Sequence, residues 1–155
     1  MKEIILTQGL VTLIDDEDFE LIYQYKWHTY KDHGYNRYYA CSKIGTKYTY
    51  MHRFIMGAEK GQFVDHKDGN GLNNQKENLR ICTGAQNMAN RQLYKGYKGV
   101  YWEPRRNKWR AAIGYEGRQL HIGYYLAEEE AAKAYDKKAS FLYGSFAYLN
   151  FKENK

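Results

Sequence analysis

Apolar and polar positions alternate in short runs at the start of the chain. Residues 3–7 and 10–14 are β-rich stretches around Gly9, a pattern that predicts a hairpin. Asp15, Asp16, Glu17 and Asp18 then supply an acidic N-cap and first turn for a short helix that should bury Phe19, Ile22 and Tyr23. Strands are predicted over 26–30, 38–43 and 47–51, the last two joined across Ile44-Gly45-Thr46, and residues 52–57 should turn helical and stop at Gly57. From Gly99 onward the alternation is strict. Trp109, Ala111 and Ile113 share one strand face and Lys108, Arg110 and Ala112 the other, and Leu120, Ile122 and Tyr124 repeat the inward face beyond a turn at Glu116-Gly117. Residues 127–143 read as a helix, with Glu128, Glu129 and Glu130 first and Lys133, Lys137 and Lys138 later, the charge order that a helix dipole favours, and Gly144 at its end. The fold class expected from these elements is α+β.

Residues 61–92 differ in kind, being dense in Asp, Asn, Gly and His and too polar to form a core. A β-type segment leads into this stretch, and Thr83-x-x-Gln86 reads as a capping box for the helix that closes it. Residues 91–97 look like a connector, so a domain boundary is expected near Leu93, dividing the chain into 1–93 and 94–155.

Charge sharpens this division. Lys and Arg number 24 against 18 Asp and Glu, a net charge of +6, and residues 91–155 hold 13 of the basic and 7 of the acidic side chains. Such an excess points to a polyanionic partner rather than an acidic small molecule. No apolar run approaches the roughly 20 residues needed to cross a bilayer, and the N-terminus lacks a signal-peptide pattern, so a soluble, intracellular protein with no membrane partner is expected. Cys41 and Cys82 are isolated and predicted to be buried thiols, with no structural zinc and no disulfide. Seventeen tyrosines suit half-buried strand surfaces, with base stacking as the other use for them.

The middle segment carries the chemistry. Its pattern V-D-H-x-D-G-N-x-L-N-N-x-x-x-N-L-R, followed by Q-N-x-x-N, resembles the HNH endonucleases of the phage and intron homing type, from His52-Arg53 to Arg91. The resemblance implies a ββα-metal site in which Asp65 is a metal ligand, His66 the general base, Asn78 its orienter and Asn87 the second ligand. Phosphodiester hydrolysis needs an activated water and stabilisation of charge on the phosphoryl and leaving oxygens, which one histidine and one cation supply. Carboxylate and amide oxygens match Mg²⁺ or Mn²⁺, whereas zinc prefers sulfur or more imidazoles. Asp65 and His66 are adjacent, so the strand should end there and residues 67–70 should turn back. For His52 and Arg53 a structural or phosphate-facing role is expected, and for Asn73, Asn74 and Asn90 turn and cap duties. His28, His33 and His121 are assigned to no metal.

The C-terminal stretch from Tyr97 to Phe151 resembles the plant Apetala/ethylene-response-factor DNA-binding domain in its K-G-V, K-W, E-E-A-A-x-A-Y-D and L-N-F landmarks. The resemblance implies a three-stranded antiparallel sheet packed on one helix, with the outer sheet face in the major groove of double-stranded DNA. Alternation independently turns Lys108, Arg110, Gln119 and His121 outward, and Lys98, Tyr101, Arg105, Arg106 and Arg118 complete the expected DNA-contacting set. The chain departs from the plant pattern at Tyr101, Glu103, Ala112, Gly114 and His121, so the base sequence read does not carry over. The function expected is a metal-dependent DNA endonuclease of homing or mobile-element type. The alternative is a non-cleaving DNA-binding regulator derived from a nuclease. A third reading, an RNA-binding protein that stacks bases on its tyrosines, rests on the aromatic content alone.

Overall fold

The computed structural model describes residues 1–33, 37–91 and 95–151. It forms two compact units, Met1–Thr83 and Gly84–Lys155. The expected boundary at Leu93 lies outside the described residues. Helices and strands are mixed in an α+β arrangement of small antiparallel sheets.

In the first unit β1 (Lys2–Ile5) and β2 (Val11–Ile14) form the expected hairpin. A short 3₁₀ turn leads into α1 (Phe19–Tyr23). Two expectations change here. Asp15 makes no side-chain cap; its carboxylate instead accepts from Gln75 Nε2 at 3.2 Å and from the Lys76 amide at 2.8 Å, because two donors on a distant loop outcompete the exposed helix start. Tyr23 is exposed, since a five-residue helix offers the core only a narrow stripe, which Ile22 and Phe19 fill.

A meander follows of β3 (His28–Asp32), β4 (Arg37–Ile44) and β5 (Lys47–Tyr50), closed by α2 (Met51–Ile55). Leu6, Ile14, Ile22, Trp27, Ala40 and Met51 make the core, and Trp27 keeps its indole N–H satisfied on the Ile22 carbonyl at 2.9 Å. Each fully buried Leu or Ile contributes about 1.5–3 kcal/mol. Arg53 has a structural role: its guanidinium donates to the carbonyls of Ala58, Glu59 and Gln62 just beyond α2. The hairpin β6 (Phe63–His66) and β7 (Leu79–Cys82) completes the unit.

The second unit opens with α3 (Gly84–Ala89), directly after Thr83. Then β8 (Val100–Glu103), β9 (Lys108–Tyr115) and β10 (Arg118–Tyr125) form an antiparallel sheet in the order β10-β9-β8, packed on α4 (Glu128–Tyr143). Alanines at 111, 131, 132 and 139 let helix and sheet approach closely. Gly99 is demanded twice over: its φ is +76°, and a Cβ there would lie 2.0 Å from the Tyr135 ring. The charge order of α4 is met only at its start, because its last turn carries no basic residue and the lysines sit mid-helix.

One register expectation fails. A bulge between His121 and Gly123 leaves Ile122 unpaired, so the alternation slips by one: Leu120 and Ile122 face α4, Tyr125 follows them inward, and Tyr124 turns out beside Arg110.

Candidate active site

β6 and β7 pair with Asp65 opposite Arg80 and His66 opposite Leu79. Partners in an antiparallel ladder point to one side, so Arg80 meets Asp65: its Nε and Nη2 donate to Oδ2 at 2.9 and 2.7 Å. Both side chains are largely buried, and the guanidinium balances the carboxylate's charge inside the unit. The strand ends at His66 as expected, and the chain turns with Gly69 N–H donating to the His66 carbonyl at 3.0 Å.

Asn78 is directed elsewhere than expected. Its amide oxygen accepts from the Asp68 N–H, and its Nδ2 donates to Asp68 Oδ1 and the Asn73 carbonyl, so it ties the two ends of the loop together. The His66 ring is met by Asn74, whose Oδ1 lies 3.3 Å from Nε2. Asn74 is itself fixed from far away in sequence: its Nδ2 donates to Thr12 Oγ1 at 2.7 Å, and the Thr12 hydroxyl donates to the Leu72 carbonyl at 2.7 Å. The chain of donors settles the amide orientation and therefore the tautomer. Asn74 Oδ1 can only accept, so His66 carries its proton on Nε2 and its lone pair on Nδ1. Neither Thr12 nor the orienting role of Asn74 was visible in sequence. The family pattern could have flagged Asn74, but no local signal marks Thr12, 62 residues away.

Leu13 carries the same loop on its backbone, donating to the Leu72 carbonyl and accepting from Asn74 N–H, each at 2.8 Å. Lys76 adds ion pairs to Glu17 and Asp18, which push its ammonium's pKa up. Gly71 lets the loop lie on β4, since a Cβ would stand 2.4 Å from the Tyr38 carbonyl.

His66 is buried, and that burial is the main reason its pKa lies below the ordinary histidine value; the Asn74 bond and the nearby Asp68 and Asp65 oppose the shift. His52 stands edge-on to it, ring centroids 4.9 Å apart, and stacks on Tyr50. Burial first, then the neighbouring His66 and Arg53, bring His52 down from 6.5 to about 3. Cys82 is a buried free thiol pushed up to about 11 by burial, and thus an inert one; Cys41 is likewise buried and free.

Asn87 is half-buried on α3 and groups with the second unit. Among the described residues no three His, Cys, Asp or Glu side chains converge into a ready cation cage. Of the two residues expected to bind a cation, Asp65 lies in the first unit and Asn87 in the second, each with an oxygen donor of the kind Mg²⁺ or Mn²⁺ takes.

In the second unit Tyr101, Arg110 and Tyr124 form one outward row across three strands, Lys108 lies opposite Glu103, and His121 opposite Ala112. Arg110 Nη2 donates to Gln119 Oε1 at 3.1 Å, and the Arg106 guanidinium lies over the Tyr124 ring. Arg105, Arg118, Gln119 and His121 are exposed. Lys98 is placed differently: its ammonium donates to the Met88 and Ala89 carbonyls, at 3.2 and 2.5 Å, where unsatisfied acceptors at the end of α3 attract a cation.

Along the chain, a hairpin whose first strand ends in Asp-His encloses a polar return loop and is followed by a helix. The HNH endonuclease family pattern matches residues 50–89. An uncharacterised HNH endonuclease of Acanthamoeba polyphaga mimivirus is 31% identical over 149 residues, covering 92% of this chain and 76% of that protein. Protein 3.8 of Escherichia phage T7 is 35% identical over 57% of this chain and 75% of its own length. The chain belongs to the HNH endonuclease family, enzymes that cleave DNA. An ethylene-responsive transcription factor-like protein of Arabidopsis thaliana is 45% identical over 47 residues, 30% of this chain and 20% of its own. No solved structure matches the chain. No helix among the described residues is long and apolar enough to cross a membrane.

Proposed function

We propose that the protein is a metal-dependent endonuclease of the homing or mobile-element kind that hydrolyses double-stranded DNA through residues 1–93 and grips the duplex with an ethylene-response-factor-type domain, residues 94–155. The observation that carries this reading is the Thr12–Asn74–His66 relay. It holds the proton on Nε2, so Nδ1 is the base that takes a proton from the attacking water. A lowered pKa keeps the imidazole neutral near neutral pH, the state that can accept that proton. Asp65 and Asn87 would hold the divalent cation, Mg²⁺ or Mn²⁺. When bound, such an ion stabilises charge on the phosphoryl oxygens and the departing 3′-oxygen. Asn78 supports the site indirectly, by closing the loop that carries Asn74.

The second unit supplies affinity. Tyr101, Arg105, Arg106, Lys108, Arg110, Arg118, Gln119 and His121 present a basic and aromatic face that fits the major groove, while Lys98 supports α3 instead. Phosphate contacts by such cations give binding that weakens steeply with salt, and a tethered grip raises the local concentration of DNA at the site.

The test is conversion of supercoiled plasmids to nicked and linear forms, with Mg²⁺, Mn²⁺ or chelator. Metal-dependent nicking that disappears in His66→Ala, with duplex binding retained, is the expected result. A folded wild-type protein that binds duplex without cutting would replace this reading with a non-cleaving regulator.

A further inference from the structure

The meander β3-β4-β5 has two unlike faces. One carries Ala40 into the core. The other aligns Tyr30, Tyr39 and Tyr50 as cross-strand neighbours, with Tyr48 opposite Lys43 and beside His28. Their rings touch in sequence: Tyr30 meets Tyr50 at 5.6 Å between centroids, Tyr50 meets Tyr39 at 5.9 Å, and Tyr39 meets His66 at 6.0 Å. A continuous aromatic surface therefore runs from the reacting histidine out to Tyr30, which is open to solvent at 45% exposure, and Tyr48, at 73%, stands farther along the same face against His28. Arg37, half-buried, lies on the same face opposite Asp32, close enough for its charge to disfavour protonation of His66, and Lys43 adds an exposed cation.

We infer that this face is the platform on which the strand to be cut lies, with Tyr30 and Tyr48 stacking on bases or sugars that flank the phosphate at His66. The inference rests on the nuclease reading for the place of that phosphate. Three observations support this occupant. The surface is continuous with the histidine rather than merely near it. Its cations, Arg37 and Lys43, outnumber its one acid, Asp32, as suits a phosphate backbone. Its rings also suit every base equally, as an enzyme needs where it cuts rather than where it reads. A core purpose does not explain the exposed rings, because the opposite face of the same sheet is the one packed on Trp27 and Met51. Gly71 ties β4 to the loop that carries Asn74, so the platform and the base are held to one another.

The experiment uses the full chain in chelator, so that no cutting is required. The probe is a duplex with a short single-stranded gap containing a fluorescent adenine analogue whose emission is quenched when a ring stacks on it. Wild type is expected to bind and quench. The double variant Tyr30→Ala/Tyr48→Ala should lose the quenching and bind about tenfold more weakly or worse, and Tyr30→Phe/Tyr48→Phe should restore both. Both rings are exposed, so an unchanged melting temperature identifies folded variants. Wild-type quenching and affinity in the alanine pair, or no quenching by wild type, would overturn the inference. Metal-dependent nicking of plasmid by the wild type is scored separately, so failure of the nuclease reading shows there and failure of the platform shows in the gap probe.

Discussion

The two units bury polar side chains for opposite ends. Met1–Thr83 hides Thr12, His52, Asp65, His66, Asn74 and Asn78, drawn from a hairpin, a helix and a loop, and links several of them in one network. In Gly84–Lys155 the main buried acid is Asp136, which accepts from the Asn150 and Phe151 amides and from Asn150 Nδ2, while Asn150 joins the Lys98 backbone in both directions. That network only locks the last residues to α4. The basic and aromatic side chains of the second unit's sheet lie outside, on one face. Burying polar groups costs about 1–3 kcal/mol each where no partner meets them. The first unit accepts that risk around a buried, oriented histidine, and the second to close a fold.

Substitutions that strike one unit and leave the other intact test this contrast most sharply. His66→Ala should lower kcat for nicking by about 10²–10⁴-fold with little change in melting temperature or duplex affinity, followed by plasmid nicking and gel shift. A comparable loss of kcat from a folded variant of the second unit's outward sheet face, such as Arg110→Ala, would break the comparison.

Acid should act on the first unit. His52 titrates near 3 when folded and near 6.5 when unfolded, so between those values the unfolded chain binds the extra proton. Stability therefore falls as pH drops below about 6.5, by roughly 3 kcal/mol at pH 4, and the lowered His66 adds to the same slope. Denaturant melts from pH 7 to pH 4 measure it, and His52→Gln should flatten the curve. In the second unit, Gly99→Ala forces a methyl into the Tyr135 ring and a side chain into a positive φ, which should cost about 2–3 kcal/mol of that unit's stability. Chemical denaturation followed by its tryptophans, Trp102 and Trp109, would report that loss. The smallest effect is expected of Thr12→Val, which keeps the shape but removes the hydroxyl. A fall of about tenfold in kcat with KM unchanged would mark it as a positioning residue, and an unchanged kcat would remove the relay from the mechanism.

Much of the architecture was legible in the sequence because period-2 alternation and glycine stops are local signals. The first hairpin, the meander, the β9–β10 turn and α4 all follow from them. The failures are places where a distant group decides. Asp15 gave up a cap for Gln75 and Lys76. Tyr124 and Tyr125 exchanged faces because a bulge shifts register without changing composition. In the site, the motif placed Asp65 and His66 at the end of a strand but misdirected the amide that meets His66. Asn74 and Asn78 lie four residues apart in an asparagine-rich loop, and only the threonine arriving from β2 separates their duties.

That threonine lies outside the forty or so residues by which the family is known. A graft of the matched segment onto another protein would carry the histidine, its neighbouring carboxylate and the return loop, yet leave behind the hydroxyl that decides which ring nitrogen holds the proton. The motif is therefore not a transferable cassette. Any split or shuffled version that keeps its chemistry has to bring the opening hairpin with it, or find another hydroxyl for Asn74.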